Sequence, residues 1–454
     1  MKKFAALVLA MLMVLSMVTV ASAEEPRHIL IGTTWDLYWD STHEDITANP
    51  YYSGTVADEM MFDKVAEIEA EWGVTFEYVN LLYAGAQESI NTSILAGTPD
   101  VDVYMIGLAI GAPAVANGYA VDLRDVLPAD HPVLTGEDEV LTYIDVGNGS
   151  VSLLTNKNKE NMVGSTYPLS FNLQMIEDAN LEDPRDLVER GEWTWAKFEE
   201  YCKALTKDTD GDGVTDVYGF GGWPGDYMPL VVMSNGSYIA ATATENLTSP
   251  EVGEALQFLQ DLHLNGYAHP IPAENGWDIL RFVYREGKVA FSPNAAWIMD
   301  SNKDYAFQNP DLPTLEFDMV FVEWPYGPSG DPETNKMKVT DSSCYMIPVG
   351  VEDPELVFNV LYDLLNWFNG DLSIRDDDEA LGWWYGVTAK DLDLQEWNFE
   401  VMYKMGTRQQ LEMVNNLGFE MDLVGLMNGN YTVAQFQETY KQQVQDALDQ
   451  LMGN

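Results

Sequence analysis

Residues 208–216 read DTDGDGVTD, which sets Asp208, Asp210, Asp212 and Asp216 around Gly211 and Gly213. Calcium takes six to eight oxygen ligands, and loops supply them from alternating positions around a sharp turn. With Asp208 as position one, Asp210 is three, Asp212 is five, Gly213 is the turn at six, Val214 offers a carbonyl at seven and Asp216 is nine. Position twelve is Gly219, where a full loop of this kind needs a bidentate glutamate. The pattern therefore predicts a calcium site built from Asp208, Asp210, Asp212, Val214 and Asp216 and completed by another acid. The alternative is a metal-free Asp/Gly turn, against which the mutual repulsion of four carboxylates counts. Magnesium fits less well, because it keeps more of its water and demands octahedral geometry. The loop is flanked by KALTK and VYGFGGW, a helix end and a strand start, so the ion is expected to be a structural staple. Catalytic use would need an open coordination position and a nearby base, and the sequence displays neither.

Other reactive patterns are missing. The five histidines, His28, His43, His131, His263 and His269, include no pair at helical spacing, and there is no HExxH or CxxC, so a zinc site is not expected. There is no GxSxG elbow and no phosphate loop. Among 73 acids some carboxylate pair falls at any chosen spacing, so pairing carries no signal for glycoside hydrolysis. No catalytic residues are predicted, and the chain is not expected to be an enzyme.

The aromatics say more. A sugar offers apolar C–H faces and a ring of hydroxyls, which aromatic rings and nearby Asp or Asn groups can match. In open α/β sheets, ligands lie beyond the carboxyl ends of strands. Aromatics at strand ends or in Gly/Pro loops are Trp35 and Tyr38 after the first strand, Tyr83 after the second, Trp223 in GGWPGD, Trp297 after FSPNAA, Trp324 in EWPYGP, and Trp383 and Trp384 in LGWWYG. These eight, with Asp36 and Asp226 as hydroxyl acceptors, form the predicted ligand-binding set; ordinary packing is the alternative for each. Trp193 and Trp195 open a helix and read as core.

The bulk numbers set the class. Lys2 and Lys3, the apolar run FAALVLAMLMVLSMVTV and Ala21-Ser22-Ala23 make residues 1–23 an expected signal peptide. Glu24 stands where a lipoprotein would carry cysteine, so an exported periplasmic or extracellular chain without a lipid anchor is expected. The formal charge is -50, from 73 acidic and 23 basic residues, which disfavours nucleic acid, anionic membranes and strongly anionic ligands. Thirteen tryptophans exclude a disordered acidic chain. Two cysteines far apart, Cys202 and Cys344, read as buried thiols, with a disulfide as the alternative.

The elements that must position these groups follow from periodicity. HILIGTTWDLY opens as a strand. In GTVADEMMFDKVAEIEAEWG, Met61, Val65, Ile68 and Trp72 share a helical face, and Gly73 ends it. VTFEYVN alternates as a strand, AQESINTSILAG is helical and VDVYMIGL is a buried strand. Residues 28–108 thus read strand-helix-strand-helix-strand, a parallel sheet with helices on its faces. Residues 130–165 are loop-rich, and later helices are expected from Thr194, over 249–266, over DPELVFNVLYDLLNWFNG and over TVAQFQETYKQQVQDALDQLMG.

INTSILAGTPDV, GEWTWAKFEEYCKALTKDTDGDGVTDVYGF, SPEVGEALQFLQDL, EGKVAF and DSSCYMIPVGVEDPEL stand in the order seen in extracellular solute-binding proteins (family 1, carbohydrate type) of ABC importers, which this chain resembles over residues 28–370. The resemblance implies an α/β, two-lobed periplasmic-binding-protein-like fold (type II-like) with the ligand cleft between the lobes. It implies a monomer that captures a sugar, by the charge balance a neutral oligosaccharide, and delivers it to a membrane ABC permease. Expected boundaries are 24–130 for the first part of lobe 1, 131–285 for lobe 2 with the calcium loop, 286–345 for the return to lobe 1 and crossover, and 346–454 for a C-terminal helical segment mainly on lobe 2. Alternatives are the same fold with a peptide or polyamine ligand, and a secreted calcium-dependent polysaccharide hydrolase.

Overall fold

The computed structural model describes residues 26–451 apart from 37–38, 41, 43–44, 49–51, 53, 165, 274–275, 296–312, 314, 340–342, 378–380, 387 and 390. The leader expected over 1–23 lies outside the described residues. Among them, no helix is long and apolar enough to cross a membrane.

Five strands from the first third of the chain, β1 (Arg27–Thr33), β2 (Val74–Asn80), β3 (Val103–Ile106), β4 (Leu141–Tyr143) and β5 (Leu154–Asn156), form a sheet with one late strand, β11 (Cys344–Met346). Its order is β2-β1-β3-β11-β5-β4. β1 pairs in parallel with both β2 and β3, as strand-helix-strand connections require. The helix Val56–Trp72 makes the first of these connections. Thr55 and Asp58 close a capping box at its start, and Gly73, at φ 64°, takes the left-handed turn that ends it. Its Val65 and Ile68 bury against Ile29, Ile31 and Phe76 of the sheet.

The second sheet, in the order β7-β8-β6-β9, contains β6 (Leu169–Asn172), β7 (Tyr218–Phe220), β8 (Val289–Pro293) and β9 (Met319–Val322). Every residue of β8 and β9 is buried, which is why both read as unbroken apolar runs. A separate parallel pair joins β10 (Lys338–Val339) to β12 (Gln409–Gln410). Trp193 and Trp195 are 2% and 6% exposed, as read. Trp193 lies edge-on to Phe198 and Tyr201, and Trp195 stacks on Phe258 at 4.6 Å.

Sheet membership moves the expected boundaries. Residues 141–156, assigned to lobe 2, pair within the first sheet, and residues 289–322, assigned to the return, pair within the second. The strands β4 and β5 have three residues each in a Gly/Asn-rich stretch, too short to announce themselves by alternation. The late helix Pro354–Leu365 also departs from expectation. Val357, Phe358 and Leu361 pack on the first sheet's core, while Leu392–Gly406 packs on the second lobe and Val433–Leu451 packs on both the helix Pro250–Leu264 and the helix Leu108–Ala116 that follows β3. Cys202 and Cys344 are both buried thiols, one on a second-lobe helix and one in β11, with no disulfide between them.

Candidate ligand cleft and metal loop

The connections between the sheets locate the cleft. The chain leaves the first sheet at the carboxyl end of β5 and enters the second at the amino end of β6. Because β6 runs antiparallel to β8 and β9, its amino end lies with their carboxyl ends. The return from β9 to β11 likewise starts at a carboxyl end and arrives beside the carboxyl end of β3, since Cys344 pairs with Ile106. Both connections therefore join the carboxyl edges, so these edges face each other across the crossings. That is where open α/β sheets take ligands.

On the first edge, Trp35 is 38% exposed and Tyr83 56% exposed. Their loops are tied together by Asn80, the last residue of β2. Its amide donates to the Asp36 carboxylate at 2.9 Å, and its side-chain oxygen accepts from the Leu82 N–H at 2.9 Å. Leu82 holds φ at 59°, strained for a branched side chain, directly before the helix Tyr83–Ser93. Asp40 is buried and accepts from the Tyr78 N–H and from both the N–H and hydroxyl of Thr42, fixing the loop after β1 to β2. Tyr38 lies outside the described residues.

The second edge is more closed. Trp223, half-buried, is the residue before the helix Pro224–Ser234, with Asp226 in that helix's first turn. The Trp223 ring lies over Gly276, where a Cβ would come within 2.9 Å of it, so glycine is required there by contact. Trp324 is 7% exposed; its indole donates to the Tyr167 carbonyl at 2.8 Å and its ring meets Phe220 edge-on. That arrangement packs Trp324 as part of the lobe interior. Trp297 lies outside the described residues, as does the Trp383 side chain.

Trp384 lies at the crossing. Its ring is half-buried against the helix Lys159–Gly164, which directly follows β5, and a Cβ on Gly164 would lie 3.4 Å from it. Its indole bonds Glu160 on the same helix. Desolvation holds the Glu160 carboxyl above the ordinary range, and the Trp384 hydrogen bond opposes that shift. Sequence reasoning missed Asn80 and Glu160. The signal for Asn80 was a polar residue ending an apolar strand; Glu160 carried none, because its place depends on a crossing that only the fold reveals.

At the opposite, amino end of β7, the acidic loop turns between the helix Trp195–Leu205 and the strand. Asp208, Asp210 and Asp216 bring one carboxylate oxygen each within 4.8 Å of one another. Asp212 does not join them, and its carboxylate accepts from the Val214 N–H at 2.8 Å. Asp208 accepts from the N–H groups of Gly211 and Gly213, and Asp216 from the N–H and hydroxyl of Thr209. The loop base is close-packed: a Cβ on Gly219 would lie 2.3 Å from the Cys202 backbone. Three convergent carboxylates on a backbone-braced turn fit a hard cation, and the remote position gives it no contact with the cleft.

No curated protein matches this chain. Solved structures do match its fold. The cyclic alpha-maltosyl-1,6-maltose binding protein of Arthrobacter globiformis is 16% identical with a TM-score of 0.60, covering 94% of this chain and 100% of its own. The maltose/maltodextrin-binding domain of Bdellovibrio bacteriovorus, bound to maltotriose, is 15% identical with a TM-score of 0.53, covering 94% and 100%. UgpB of Mycobacterium tuberculosis, in complex with glycerophosphocholine, is 13% identical with a TM-score of 0.55, covering 93% and 98%. The fold is thus the two-lobed one expected. A family profile described as bacterial extracellular solute-binding protein matches residues 64–369, and the chain belongs to that family.

Proposed function

We propose that the chain is exported and captures a neutral oligosaccharide between its lobes for an ABC importer, without making or breaking a bond. The observation that carries this is the exposed pair Trp35 and Tyr83 beside Asp36 and Asn80, on the edge that faces the second lobe. Apolar ring surface left exposed at the edge of a cleft is available to a ligand. The rings stack on the sugar's C–H faces, and the carboxylate and amide take its hydroxyls. Trp223 and Asp226 meet it from the second lobe, Trp384 and Glu160 from the crossing, and closure about the crossings encloses it. The net charge of -50 supports a neutral ligand over a uronate.

A thermal-shift panel of neutral sugars, uronates, polyamines and glycerophosphocholine tests this. A ligand at about a hundred times its dissociation constant stabilises by about 2.7 kcal/mol, a shift of several degrees. A rise with neutral oligosaccharides that are recovered intact is the expected outcome. A rise with polyamines alone would replace the sugar by a cationic solute, and shortened sugar products would restore the hydrolase reading.

The acidic loop, in the same proposal, binds a structural calcium ion through Asp208, Asp210 and Asp216. Calcium at about a hundred times its dissociation constant is then expected to add about 2.7 kcal/mol of stability. Chelation should remove that gain, and Asp208→Asn should abolish it while sparing ligand affinity. A melting temperature indifferent to both would show a metal-free turn.

A further inference from the structure

Glu412 is 1% exposed, yet its carboxylate faces only main-chain donors. It accepts from the N–H groups of Ile239 at 2.7 Å, Ala240 at 2.9 Å and Val414 at 3.0 Å. A buried carboxylate is costly unless its oxygens are hydrogen-bonded, and here they join two segments 172 residues apart. The Met413 N–H returns a bond to the Ala240 carbonyl at 2.8 Å, so the two segments are clamped from both sides.

The next residues, Val414–Asn416, form a short turn of 3-10 helix that touches both lobes. It packs against the helix Leu108–Ala116, which follows β3 of the first sheet. The Asn415 amide donates at 2.9 Å to the carbonyl of Gly225, within the first turn that Trp223 and Asp226 share. Met413 and Val414 are buried in the same apolar cluster as Leu108 and Ile110. A single turn thus spans from the first lobe to the aromatic edge of the second, and Glu412 is its buried anchor.

We propose that Glu412 is a positioning residue of the cleft: it fixes the Val414–Asn416 turn, which couples the Leu108–Ala116 helix to the Trp223 edge. Only the consequence for ligand capture rests on the function proposed above. The anchor itself is tested without ligand.

The experiment is hydrogen exchange followed by mass spectrometry on the full chain, comparing it with Glu412→Gln, Glu412→Ala and Asn415→Ala. In Glu412→Ala, exchange is expected to rise about ten-fold or more in 238–241 and 412–417, and also in 108–116 and 223–228, with the Val56–Trp72 helix unchanged. Glu412→Gln keeps one acceptor oxygen and is expected to give the same pattern at smaller amplitude, which keeps the test alive if the alanine variant does not fold. Asn415→Ala should loosen 223–228 and leave 238–241 protected. Acceleration confined to 238–241 and 412–417 would overturn the proposal, because Glu412 would then hold only its own neighbours. An even rise across the chain, the Val56–Trp72 helix included, would overturn it as well, by showing general destabilisation. A failed sugar panel would strike the ligand reading and leave this exchange pattern as it is.

Discussion

At the carboxyl end of the first sheet, Trp35 and Tyr83 stand 38% and 56% exposed, on loops joined by an exposed amide–carboxylate network. Facing them, Trp324 is 7% exposed with its indole N–H bonded to a carbonyl, and Trp223 is half-buried over Gly276. Both edges carry tryptophans at strand ends, and from residue type and position alone they look equivalent. Packing separates them. An exposed ring loses nothing in stability when a ligand covers it, whereas an enclosed ring already has its contacts. Under the function proposed above, the first edge is where ligand contact is to be made, and the second supplies a preformed wall.

The sharpest way to break that contrast is Trp324→Ala. A buried tryptophan of this kind is expected to cost roughly 3–5 kcal/mol of stability, read by denaturant unfolding. Lost ligand affinity with unchanged stability would make Trp324 a contact residue and the two edges alike.

The pH dependence of stability comes next, and two buried second-lobe groups contribute to it with opposite signs. His263 is held neutral by burial, its Nε2 3.0 Å from the Tyr227 hydroxyl, and its pKa is pushed down from 6.5 to about 4. A depressed folded pKa means stability that is present above 6.5 and lost as pH falls toward 4, at most roughly 3 kcal/mol. Glu412 has the opposite sign: burial raises it from 4.5 to about 7, so its contribution is full below 4.5 and lost as pH rises through 7. Melting curves from pH 4 to 8 should therefore have a shallower acid slope in His263→Gln and a shallower neutral slope in Glu412→Gln. Unchanged slopes in both variants would place the pH response elsewhere.

On the first edge the effects are smaller and fall on binding. Trp35→Ala or Tyr83→Ala is expected to weaken the ligand found by the panel about 10- to 100-fold, about 1.4–2.8 kcal/mol, by calorimetric titration. Stability should stay within about 0.5 kcal/mol, as for other exposed positions. Smallest of all, Asn80→Ala should cost about 1 kcal/mol of affinity by releasing both loops. An Asn80 variant that loses stability and keeps affinity would reduce its network to a local brace.

Much of this was legible in the chain. The helical face of Met61, Val65, Ile68 and Trp72, the stop at Gly73 and the alternation of Val74–Asn80 follow from local rules, and those elements stand where periodicity put them. Sheet membership was not local. β4, β5 and β11 are three residues long, and what assigns each to a sheet is a partner far away in sequence. The same holds for the sites. Asp208, Asp210 and Asp216 converge because neighbours on a turn must. Trp324, read as a ligand contact with packing as the alternative, is enclosed, because a proline-rich flank reads as a loop even where the ring is packed inside. Glu160 and Glu412 owe their settings to crossings and clamps that no spacing rule encodes.

β11 is an inserted strand, and its insertion orders events in time. Cys344–Met346 lies between β3 and β5, bonded to both, although those two are complete by residue 156. Until residue 346 is available, the first sheet is two fragments with a vacant slot between them and two open edges. Closing that slot is a long-range step, slow on topological grounds, and it comes after the whole second sheet has passed. A chain cut before Cys344 should thus retain helices and separate strand pairs yet lack a cooperative first lobe, with two edges exposed to aggregation.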